Sequence, residues 1–141
     1  MMACSLPTDW RYALCAGLVF SAVAAALPAA AAAEEFPFDQ ELLLDAKPMR
    51  GSKRVPMLDI KPDGAVLIEL WCNSVQAQFV VAANTITVLT GPKTDRSCPP
   101  ERMRGDEDVL SALEQVTSWR REGEDVVLIG PQTLRFHRAT N

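Results

Sequence analysis

A small, mainly β domain, its antiparallel strands bent into a partly open barrel or strongly curved sheet and joined by one helix, is the fold class this chain predicts. Three observations point there. Short runs alternate apolar and polar residues between turn signals. One segment near the end carries helical apolar spacing. The 141 residues leave room for a single domain once an atypical beginning is set aside.

That beginning is residues 1–33, which read as a secretory signal peptide. A polar head with Asp9 and Arg11 precedes an alanine-rich stretch, 13–33, that holds no charge. Ala13 to Leu27 forms the apolar region, Pro28 breaks it, and Ala31-Ala32-Ala33 fits the small-residue cleavage rule. A retained anchor is the competing reading. Alanine is only weakly hydrophobic, and Pro28 interrupts the run before the roughly 18 apolar residues a span requires. Cys15 precedes most of the apolar run, so it does not mark a lipid attachment site. Residues 34–141 are then a single exported domain without a transmembrane anchor, periplasmic or secreted, and expected to be a monomer.

The elements follow in order. Glu41 to Asp45 reads as a strand, and Ala46 to Val55 as a basic loop. Leu58 and Ile60 flank Asp59 in a second strand, which ends at Lys61-Pro62-Asp63-Gly64. Proline presets that turn and glycine takes its positive φ. Ala65 to Cys72 alternates, with Val66, Ile68, Leu70 and Cys72 on one face and Glu69 and Trp71 on the other. Gln76–Ala82 and Thr85–Thr90 form the next hairpin around Ala83-Asn84. After a loop from Gly91 to Gly105, Asp106 is placed as the cap of a helix. Val109, Ala112, Leu113, Val116 and Trp119 would form its stripe, and Arg120 and Arg121 its last turn before Gly123. Asp125–Ile129 and Gln132–Arg138 close the domain. The total is about seven strands and one helix before the final hairpin.

Charge and composition narrow the functions. Removing Asp9 and Arg11 together leaves the net charge at −4, a poor match to nucleic acid or to an anionic membrane. The basic clusters Arg50/Lys53/Arg54 and Arg96/Arg102/Arg104 sit in segments rich in Pro, Gly, Ser and Asp, and each reads as a solvated loop rather than a phosphate site. His137 is the one histidine, so neither a metal set nor a thiol with its base can be assembled, and no cofactor is expected. Asp59 and Glu69, on facing strands, are the remaining carboxylate pair, and surface acids on strands are ordinary. The domain is expected not to be an enzyme. Cys72 and Cys98 are the two cysteines left after export. An even count in an oxidising space reads as a disulfide, with free structural thiols the alternative. Such a bridge would stabilise the fold by about 3–4 kcal/mol.

"CN" at 72–73, a strand pair, "TDRSCP" at 94–99, an acidic-start helix, "EGEDVVLIG" at 122–130 and "QTLRFHR" at 132–138 resemble the META domain family of HslJ-like proteins. The resemblance runs from about Asp59 to Arg138. It departs where Trp71 replaces a glycine and where Ser74-Val75-Gln76-Ala77 replaces an Arg-Phe-Ser-Gly continuation. It implies a small antiparallel barrel with one helix, a place in the bacterial envelope or outside it, and a link to stress tolerance without an established catalytic activity. The expected role is binding of an envelope protein or structural support, with Trp71 and Asn73 as contact points. The other expectation is a carrier of a small apolar ligand or lipid, in a cavity lined by residues such as Ile68, Phe79, Val88, Leu113 and Phe136.

Overall fold

The computed structural model describes residues 34–140; the signal-peptide reading of 1–33 lies outside them. Eight antiparallel strands close into a barrel in strict chain order, so every strand neighbours its predecessor and β8 returns to β1. The strands are β1 (Gln40–Leu44), β2 (Met57–Ile60), β3 (Ala65–Glu69), β4 (Ser74–Ala82), β5 (Thr85–Lys93), β6 (Ser118–Glu122), β7 (Asp125–Ile129) and β8 (Leu134–Arg138). The helix α1 (Pro100–Glu114) lies between β5 and β6 in the chain. The expected single helix and β-barrel class hold, with one strand more and the ring closed. Closure pairs Leu42 with Arg138 and Leu44 with Phe136.

Period-two alternation sets which residues enter the barrel. Leu58 and Ile60 of β2, Val66 and Ile68 of β3 and Leu134 and Phe136 of β8 are all buried, while His137 is exposed. Gly64 at φ +82° makes the β2–β3 turn, and Ala83 at φ +53° opens the two-residue β4–β5 turn. Phe36, ahead of β1, packs edge-on to Trp119, with centroids 5.0 Å apart, and also meets Phe38 and Phe79. Trp119 Nε1 donates to the Ala83 carbonyl at 2.8 Å, so its buried polar end is satisfied.

The helix departs most from expectation. It begins at Pro100, where proline's fixed φ suits the first position and Glu101 complements the positive end. Asp106 is inside it rather than its cap. It ends at Glu114, and Arg120 and Arg121 belong to β6. Val116 and Trp119 continued the helical spacing of Val109, Ala112 and Leu113 because all five reach the same core. Gly123 is not a helix terminator. At φ +65° it forms the two-residue turn between β6 and β7, where Glu122 faces Asp125. Both roles require positive φ, which is why the residue type could not separate them.

The β5–β6 junction is thin. Thr85 with Ser118 is its one strand-paired position, supported by Ile86 N–H to Thr117 O at 3.2 Å and Trp119 N–H to Asn84 O at 2.9 Å. Elsewhere β5 is lined by α1, and Thr90 Oγ1 bonds Glu114 Oε1 at 2.8 Å. A bulge between Val75 and Ala77 shifts the register of the outer β4–β5 ladder.

Candidate functional site

Two of the segments that carried the family resemblance, "CN" at 72–73 and "TDRSCP" at 94–99, meet at the tip of the β3–β4 hairpin. Leu70 N–H donates to the Asn73 carbonyl at 2.8 Å, leaving Trp71 and Cys72 at the turn. A tight turn presents neighbouring amides in the same direction, and here both find one acceptor. Cys72 N–H reaches Asp106 Oδ1 at 3.1 Å and Asn73 N–H reaches Oδ2 at 2.7 Å. Asp106 is only 2% exposed, so both bonds are charge-assisted and screened from water.

Asn73 carries the tie onward. Its Oδ1 accepts from the Arg96 amide at 2.8 Å and from Thr94 Oγ1 at 3.0 Å. The Thr94 hydroxyl in turn accepts from Ser74 N–H at 3.0 Å, which uses its donor and acceptor functions together. Cys72 and Cys98 are bridged, with Cα atoms 6.0 Å apart and a sequence separation of 26. The disulfide reading of this pair therefore holds. The "CN" and "TDRSC" segments are one interlocked unit, closed over by the helix.

Trp71 is held on the other side of the turn. It is half-buried, packed against the core, with Cε3 and Cζ3 of its ring close over Gly105 of α1. A Cβ at Gly105 would come within 3.0 Å of that ring and 2.2 Å of Met49 Cε. Glycine inside a helix costs about 1 kcal/mol relative to alanine, and here it makes the close approach possible. Trp71 borders a surface cleft of about 360 Å³ that also involves Leu44, Met49, Val109 and Leu134, with Asp45 and Asp108 at its edge. Trp71 also borders a second pocket, of about 150 Å³, with Arg54, Asn73 and Arg96.

The two residues read as contact points are thus placed differently. Trp71 is partly accessible, whereas Asn73 is 6% exposed, with its oxygen committed to the loop. Ile68, Phe79, Val88, Leu113 and Phe136 pack together in one buried cluster. Asp59 does not face Glu69: its register partner is Leu67, and its carboxylate takes Lys61 Nζ at 2.8 Å. Among the described residues no group of three or more His, Cys, Asp or Glu is arranged to hold a metal ion. None of their helices is long and apolar enough to cross a membrane.

Asp106 is the residue that sequence reasoning assigned to the wrong task. Its spacing held the clue, because it lies three residues before Val109 on the buried stripe. A carboxylate on that stripe must meet donors from elsewhere in the chain.

The comparisons with known proteins agree with this architecture. A search of curated proteins returned no match. An NMR structure of a protein from Burkholderia xenovorans has the same fold, with a TM-score of 0.56 over 82% of this chain and 98% of that one, at 17% identity. The model of the META domain matches residues 38–141. That span includes all eight strands, the helix and the interlocked hairpin tip, and the chain belongs to the META domain family.

Proposed function

We propose that this is an exported, non-catalytic domain that works by binding a partner protein in the bacterial envelope, through the cleft beside Trp71. The observation that carries this reading is the placement of Trp71. The fold places a glycine in a helix, at a cost, and thereby seats an indole at the border of an open cleft of about 360 Å³. Large aromatic side chains in partly desolvated positions are the usual anchors of protein interfaces. Leu44, Met49, Val109 and Leu134 supply apolar wall; of the charged lining residues, Arg135 is engaged by Glu122 and Asp125, which leaves Asp45 and Asp108 to favour a basic or hydrogen-bonding partner segment.

Export is supported by the disulfide, which persists in oxidising compartments, and by the alanine-rich beginning of the chain. A role in envelope stress tolerance is supported by family membership alone. The carrier reading has less behind it, because the residues expected to line a cavity fill the barrel interior as a contiguous core.

A photoreactive residue at Met49, in the full chain expressed with its own leader, tests the binding reading. A discrete crosslinked species that disappears in Trp71→Ala is expected, with the same probe at Val80 as control. Equal labelling from both positions would overturn it. Native mass spectrometry of the unreduced protein addresses the rest. A retained small apolar adduct would favour the carrier, and a mass that still includes residues 1–33 would overturn export.

A further inference from the structure

The second pocket that Trp71 borders has a chemistry of its own. The two basic clusters stand far apart in the chain: Arg50, Lys53 and Arg54 lie in the loop before β2, whereas of the second only Arg96 is in the β5–α1 loop, Arg102 and Arg104 being in α1 rather than in the loop expected for them. The fold brings them together. Arg54 and Arg96 line the same pocket of about 150 Å³, together with Asn73, Ser74, Trp71 and Glu69. Neither guanidinium is in an ion pair among the described residues, where the pairs formed involve Lys61, Arg120 and Arg135.

Both arms of the pocket are anchored. The Arg96 backbone is fixed by Asn73 Oδ1. The loop carrying Arg54 is tied to α1 by Arg102 Nη2, which donates to Gly51 O at 2.6 Å. Asn73 supplies the decisive detail. An amide N–H must donate, so the Arg96 contact identifies the loop-facing branch of the Asn73 side chain as its oxygen. The other branch is therefore the NH₂ group. The side-chain hydrogen bonds of Asn73 use Oδ1 only, so its NH₂ group keeps both donors for whatever enters the pocket that the residue lines.

We infer that this pocket is a binding site for a small oxyanion, with Arg54, Arg96 and the Asn73 amide NH₂ as its donors. Its volume is that of about five waters, enough for such a group with part of its hydration shell. Guanidinium groups offer forked N–H donors that match oxyanion geometry. Glu69 is the opposing charge on the wall and weakens the site. This inference does not depend on the cleft proposed for partner binding, with which the pocket shares only Trp71.

The test is an NMR titration of the unreduced protein with inorganic phosphate at constant ionic strength, with chloride as the control. The reporters are the Asn73 side-chain amide and the Arg96 backbone amide. Saturable shifts are expected. Affinity should fall about tenfold or more in Arg54→Gln and in Arg96→Gln, in line with the loss of a charged hydrogen bond. It should rise in Glu69→Gln. A parallel titration with a short-chain phosphatidylglycerol separates the sources: tighter binding than phosphate identifies an anionic lipid headgroup, and equal binding a free ion. Shifts that grow linearly, match those in chloride, or keep the same affinity in both arginine variants overturn the site.

Discussion

Replacing Asp106 by asparagine isolates what one buried carboxylate does for this fold. The carboxylate receives two backbone amides from the hairpin tip, at 3.1 and 2.7 Å, from within a helix that contacts the same core. Asparagine is nearly isosteric but has a single oxygen. One amide keeps an acceptor, and the other faces an NH₂ group, donor against donor. Losing a hydrogen bond to a charged group costs about 1.5–3 kcal/mol, and stranding a buried N–H costs about 1–3 kcal/mol. These overlap, and burying a neutral amide is less costly than burying a charge. The net loss expected is about 2–3 kcal/mol. For a domain of this size that lowers Tm by roughly 10–20 °C. Asp106→Ala orphans both amides and should cost more, about 3–4 kcal/mol. Urea unfolding of the unreduced proteins, followed by tryptophan fluorescence, reads these values from shifts in midpoint at unchanged slope. An Asp106→Asn variant within about 0.5 kcal/mol of the wild type, the range of ordinary surface changes, would refute the role assigned to the carboxylate.

Other perturbations follow the same logic. Cys72→Ser with Cys98→Ser opens a loop with sequence separation 26, and unfolding should show a loss of about 3–4 kcal/mol. Gly105→Ala gains about 1 kcal/mol of helix propensity but must displace Met49 and the Trp71 ring. Overpacking of this kind costs about 1–3 kcal/mol, so a net loss with altered Trp71 emission is expected. Glu122 is held below the usual carboxylate range by hydrogen bonds from Arg120 and then Arg135. A lowered folded pKa stabilises above the unfolded value and loses that contribution as pH falls through the folded one. The stability gap between wild type and Glu122→Gln should therefore be open near neutrality and close as acid titrates the group. A gap that widens on acidification would contradict the pairing.

How far the sequence could be read depended on whether a residue's signal was local. Period-two alternation at Leu58–Ile60, Val66–Leu70 and Leu134–Phe136 was legible because one face of each run is buried. The Pro62-Asp63-Gly64 turn was legible because its backbone geometry restricts the residue types. The helix boundaries were not. Gly105 and Pro100 look like loop residues, and only the distant Trp71 explains the glycine. β6 was hidden because Val116 and Trp119 serve the same core as the helical stripe. At the site, the bridge was legible from chemistry and compartment. The carboxylate that secures the turn and the meeting of two basic loops depend on contacts across the barrel, and no pattern within a short window encodes them.

The thin β5–β6 junction gives the barrel a seam. Local opening is least costly where few bonds and little buried surface are lost, so gaping along this line is the lowest-energy excursion of the native ring. Exchange at Ile86 and Trp119 will outpace exchange across the long β3–β4 and β4–β5 ladders. The bonds of Asp106 and the disulfide are not among those of the junction, so the hairpin tip keeps its ties while the seam opens. The pockets around Trp71 are thus held by ties that the junction does not share, while solvent first meets the interior along the seam.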